Sequence, residues 1–430
     1  MANIEYGGKG FDPFAENLVM ENAMTDCQTL THLLKAALGT GILSMPIAFL
    51  YSGLILGIFT TALTGIICTH CAYVLVKSAH RLYYMEQKSK MTFVEVSVTA
   101  FMRGPPWVQS FSFSIKMLVL VGLFLTYFGT CSVYTVIIAK NLQQVIEHWT
   151  GQTYNERVLI GSLLIPCILL TWIPNLKKLA PISMVANLFV GLGLGITCYY
   201  LLIEIQPIED RKFFRIHTLP SFFAITIFAL EAIGVMMPLE NSMRTPPHFL
   251  GCCGILSQGM CGVTILCILI GFLGYLRYGE GTAETITLNL PVDELPAQFV
   301  NLLIAMAMFC TFGLQFTVCL EITWNGVKDY VLNGSLLGNY VVRTLLVIAA
   351  VGLAVAVPSI APFMGLIGAF CFSILGLIMP ILIETVLDLE SGFGKFNWIL
   401  YKNIFILGFG VFALIFGSKS ALEDIMKLYE

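Results

Sequence analysis

The chain has 430 residues, 57% hydrophobic and 11% charged, a formal net charge of −3 and a mean hydropathy of +0.84. Soluble domains carry roughly a quarter charged residues, so a water-soluble fold of this composition would lack the polar surface to cover itself. The charge balance offers no basic face for nucleic acid. No phosphate-binding glycine loop, HExxH pair or nucleophile elbow stands at an exposed helix end, which argues against an enzyme.

Residues 1–26 are polar and acidic, with Glu5, Asp12, Glu16, Glu21 and Asp26, unlike a signal or transit peptide. They read as a loosely ordered cytosolic tail. Between Lys35 and Lys77 no acidic or basic side chain occurs except His70, and Tyr51-Ser52-Gly53 interrupts the run. A helix needs about 20 apolar residues to cross roughly 30 Å of hydrocarbon, so the run reads as two spans, 27–50 and 53–78. Further spans are predicted at 108–140, 157–174, 180–204, 220–240, 250–277, 296–327, 339–357, 360–387 and 399–418. The fold class is all-α integral membrane, with about eleven transmembrane helices, because backbone polar groups in lipid must be bonded within each segment.

The connection after the second span carries Lys77, Arg81, Lys88, Lys90 and Arg103. Basic residues concentrate on the cytosolic side, which places the N-terminus in the cytosol and residues 419–430 outside or in a lumen. Two long connections, one holding TFVEVSVTAF at 92–101 and one holding ETITLNLPVDELP at 284–296, fall at matching places if 27–204 and 220–387 are two five-helix repeats. Five helices per half gives the halves inverted topology, with 399–418 as an added eleventh helix.

The first and sixth spans share a signal. GTGILSMP at 39–46 and EAIGVMMP at 231–238 each set a glycine a few residues before a proline near mid-membrane. Proline removes a helical hydrogen bond and glycine tolerates unusual backbone angles, so both helices are candidates for local unwinding. Such residues also serve close packing or a plain kink, but a matched pair in two halves points to a binding site. Free amides of Gly39, Thr40 and Gly41, at the positive end of a half-helix, would suit a carboxylate. Carbonyls around Phe228, Ala229 and Leu230 would suit an ammonium group.

Four stretches, THLLKAALGTGILSMPIAF, CSVYTVIIAKNLQQV, FALEAIGVMMPLEN and ITLNLP, occur in that order. They resemble the proton-coupled amino acid transporter family of the amino acid/auxin permease group, and the chain is most similar to its insect members. The resemblance implies a LeuT-like five-plus-five inverted repeat plus one C-terminal helix. It also implies symport of small neutral amino acids such as glycine, alanine and proline, with the proton as coupling ion and no other cofactor, at plasma or lysosomal membranes. Well-studied relatives have a disulfide between external loops. The loops at 141–156 and 278–295 here hold no cysteine.

Candidate residues follow, each with a plainer alternative. Tyr134, in the CSVY stretch, could offer its hydroxyl to substrate or serve as packing. Phe228 could wall the side-chain pocket or pack between helices. Glu231, inside the second break, could take the proton, hold the first break or be a structural hydrogen-bonding group. His32 lies seven residues before Gly39 and matches the family's HLLK histidine, which the resemblance ties to proton coupling. Its side-chain type titrates near pH 6.5, and packing against a neighbouring helix is the rival role. Other functions stay open: an amino acid sensor signalling to a growth-control complex, or a proton-independent facilitative transporter.

Overall fold

The computed structural model describes residues 11–429 apart from 21–22, 38, 174–175, 204, 206, 209–210, 231, 252 and 329–334; the side chains at 19, 176–184, 390, 391 and 395 are likewise outside it. Among the described residues the chain is helical throughout, with one isolated bridge between Met24 and Met243.

The first span is α1 (Asp26–Ala37), a tight 3-10 stretch Thr40–Ser44, and α2 (Met45–Ser52), bent by 45°. Gly53, at φ 85°, makes the turn into α3 (Leu54–Glu86), whose length follows from its charge-free run. The connection predicted at 92–101 is α4 (Phe93–Met102), started by a capping box in which Thr92 and Glu95 satisfy each other's backbone amides. Then come α5 (Ser112–Thr150), the short α6 (Glu156–Ser162) and α7 (Leu164–Thr171), and α8 (Leu176–Ile203). The sixth span is α9 (Leu219–Leu230) and α10 (Ile233–Asn241). It is followed by α11 (Ile255–Tyr278), α12 (Leu295–Val327) and α13 (Leu336–Ala356). The tenth span is α14 (Ile360–Leu366), a wide π-helical stretch Ile367–Ile378, and α15 (Met379–Ser391). The eleventh is α16 (Trp398–Phe412), a π turn Ala413–Gly417 and α17 (Ser418–Met426).

Nine helices among the described residues are long and apolar enough to cross a membrane, and the bent pair at 26–52 makes a tenth. The predicted fourth span is the pair α6 and α7, each too short to cross alone. Large apolar side chains such as Phe59, Ile66, Leu188, Leu345 and Phe405 are exposed, as suits helices facing hydrocarbon.

The bundle centre is formed where α12 packs along α5 and α8, α11 along α3, and α9 against α2 and the π stretch. At the end where the chain starts, Asn17, 1% exposed, donates to the Met243 carbonyl at 2.9 Å, the Met24 amide donates to the Ser242 carbonyl at 2.8 Å and the Arg244 amide to the Met24 carbonyl at 2.9 Å. Phe14 stands edge-on to His80, Tyr83 and Tyr84. Phe14, Asn17 and Met24, in a tail expected to be loose, thus dock on α3 and at the end of α10, because they offer an apolar ring, a side-chain amide and backbone groups to partners those helix ends leave open. At the opposite end, Lys140 of α5 contacts Glu284 at 2.6 Å and Glu156 at 3.2 Å. Glu284 also accepts from the Ile360 amide at 3.1 Å and from the Ser359 hydroxyl, capping α14.

Candidate substrate site

The two interrupted helices meet at their interruptions. Gly39 is extended (φ −80°, ψ −160°), which separates the end of α1 from the 3-10 turn and leaves the first amides of that turn without helical partners. Ala232 (φ −132°, ψ 20°) leaves helical geometry between α9 and α10, at the carbonyl end of α9. Gly41 is the point of closest approach: a Cβ built there would lie 2.4 Å from the Ala229 Cα and 2.8 Å from its Cβ. Only glycine lets the two backbones touch. Gly39 differs, since a Cβ there meets nothing nearer than the Ala36 carbonyl at 4.0 Å.

A cavity of about 80 Å³ lies against this junction. At a water's share of liquid volume, about 30 Å³, it holds about three waters, the scale of a small zwitterion. Gly39, Thr40, Gly41, Tyr134, Phe228 and Ala229 line it, so six of the eight residues expected at a binding site come together. Leu230 is fully buried and does not line the cavity. Glu231 lies outside the described residues, which leaves its place in the break open. The positive start of one half-helix and the negative end of another face the same small space. That pairing suits a molecule carrying both a carboxylate and an ammonium group.

The sequence reading missed the polar wall facing the breaks. Thr126, Tyr127 and Thr130 of α5 and Gln315 of α12 line the same cavity. Tyr127 closes in tightly, for a Cβ on Gly234 would meet its hydroxyl at 2.5 Å. Tyr134 and Gln315 both line this wall. The four-residue spacing of Thr126 and Thr130 was the available signal, but in helices apolar on every side it does not say which face is wet.

His32 does not line the central cavity. It borders an adjoining space of about 310 Å³, with Lys35, Val235, Pro238, Leu239 and Gln315, which shares Gly39, Thr40, Tyr127 and Tyr134 with the first. The side chain is exposed. The second cavity runs along α1 and α10 toward the end where the chain starts.

A profile of the family described as "Transmembrane amino acid transporter protein" matches residues 24–422. The chain is 61% identical over 424 residues to the proton-coupled amino acid transporter-like protein pathetic of Drosophila melanogaster, covering 98% of this chain and 89% of that one. It is 29% identical over 312 residues to vacuolar amino acid transporter 4 of Saccharomyces cerevisiae, covering 68% of this chain and 40% of the yeast protein. Among solved structures, the nucleobase-cation-symport-1 family transporter Mhp1, closed with bromovinylhydantoin bound, superposes with a TM-score of 0.52 at 13% identity, over 96% of both chains. A Na⁺-coupled sialic acid symporter superposes at 0.53 and 12% identity, over 95% of both. At those identities the likeness shows the LeuT-like fold.

Proposed function

The chain belongs to the transmembrane amino acid transporter protein family, and from that premise we propose that it is a secondary active transporter carrying small neutral amino acids together with a proton. The observation that supports this reading most is the small cavity at the Gly41–Ala229 contact. Exposed half-helix ends of opposite polarity can replace the water a zwitterion loses, without a fixed protein charge. The cavity's size favours glycine, alanine and proline over larger side chains.

We place the coupling proton first on His32, which is exposed and borders the cavity adjoining the substrate cavity. The Drosophila relative is named proton-coupled and the yeast relative vacuolar; a plasma or lysosomal membrane, with the N-terminus cytosolic, is the setting we assign. The repeats are proposed at 27–204 and 220–387, followed by the helix at 399–418.

Uptake by the purified protein in liposomes tests the reading. Labelled alanine or proline is expected to accumulate under an inward proton gradient and to be displaced by glycine more than by leucine or phenylalanine. His32→Ala is expected to keep exchange and lose uphill accumulation. Saturable binding with no flux in the parent would replace the transporter reading with a sensor.

A further inference from the structure

Glu240 is 1% exposed, near the inner end of α10. Its Oε1 lies 2.8 Å from His80 Nε2, and its Oε2 accepts from the Tyr83 hydroxyl at 2.9 Å. The His80 side chain is 14% exposed, so the pair has a wet side on α3 and a dry side on α10. We propose that the His80–Glu240 pair holds a transported proton, acting in series with His32, and that the proton leaves only when α10 moves away from α3. The inference rests on the symport reading above and extends it to a second site.

A buried carboxylate with no counter-charge is strongly disfavoured. Imidazolium with carboxylate, or imidazole with carboxylic acid, are two arrangements of one proton, and both are neutral overall. Losing that proton strands the negative charge among Tyr83, Asn241 and apolar side chains, which holds the proton in place while the helices stay packed. Water reaching Glu240 removes the cost. The separation needed is a movement of α10, whose first residues Ile233, Gly234 and Val235 line the substrate cavity. Proton release is thereby tied to the half-helix that borders the substrate.

Several neighbouring charges have other partners. On α3, Arg81 pairs with Asp388 of α15 at 2.7 Å, and Glu86 with Arg103 at 2.6 Å. Glu95 of α4 folds back into its capping box with Thr92. From α1, Asp26 is bound by His248 at 2.8 Å and by Thr245, while His32 and Lys35 face the adjoining cavity. Asn241, the next residue on α10, holds the Met91 carbonyl and faces the Tyr83 hydroxyl. Phe14 of the tail lies edge-on over the His80 ring, centroids 5.0 Å apart, on the side from which water would come.

The test uses the full chain in liposomes, with labelled proline, for the parent, Glu240→Gln and His80→Gln. Both variants keep a hydrogen-bonding group at the position and remove the titration. Under a one-unit inward pH gradient, a one-proton symporter concentrates substrate up to about tenfold. The parent is expected to approach that ratio, and both variants to fall to about one while still exchanging substrate in the absence of a gradient. Variants that concentrate proline as the parent does overturn this inference and leave symport standing. A parent that fails to concentrate it overturns symport and this site together. Loss of exchange in both variants makes the pair a folding element and overturns the inference as well.

Discussion

Two glycines a residue apart do different work. Gly41 is pressed on Ala229, whereas Gly39 opens onto free space. Gly39→Ala is therefore expected to fold normally and to admit glycine better than proline, because one methyl takes up part of the small cavity. Gly41→Val must push α9 back by more than an ångström, and is expected to lower the thermal stability of the detergent-solubilised protein by about 1–3 kcal/mol as well as ending transport. Equal effects of the two changes on stability would sink this distinction. Both glycines were legible in the sequence from the glycine-to-proline spacing, since backbone needs show in residue type. Tyr127, Gln315 and Glu240 were not, because a polar residue in a uniformly apolar helix gains its role from the helix opposite, which no local pattern records.

Among the elements, the matched breaks at Gly39 and Ala232 could be read directly, each from a local glycine-to-proline signal. The docking of the tail could not, since acidic composition says nothing of where a single phenylalanine and asparagine find partners. The clamp on α14 was equally hidden. Glu284 lies in a connection between spans, and its partners come from 144 residues before it and 75 after it. Burial alone would raise its pKa. The charge and hydrogen bond of Lys140, the Ser359 hydroxyl and the Ile360 amide outweigh that and hold it below its usual 4.5. A carboxylate depressed in the folded state adds stability above its unfolded value and loses it as pH falls through the folded one. Glu284→Gln is thus expected to cost about 1–2 kcal/mol at pH 7, with the difference from the parent shrinking only below about pH 4.5. Melting curves of parent and variant across pH 3.5–7 check this. A gap that already closes near pH 6 would show that the clamp titrates with the proton gradient instead of resisting it.

At the scale of the whole molecule, hydropathy gave the class and the order of the helices, because transfer into lipid is a property of composition summed over twenty residues. It was least informative for α6 and α7, where a break at Leu163 divides the span into short pieces. If the sidedness we assign is right, a tag before Met1 is cut by protease added to the cytosolic face, and a tag after Glu430 is protected until the membrane is opened. Cleavage of both from one face would require an even number of crossings. The docked tail carries this sidedness further. Asn17 and Met24 hold the backbone at the end of α10, and Phe14 packs on α3, so any swing of α10 must either drag these tail residues along or let them go. A released tail is a peptide newly available in the cytosol, and a soluble protein that recognised it would count occupied transporters without ever meeting an amino acid.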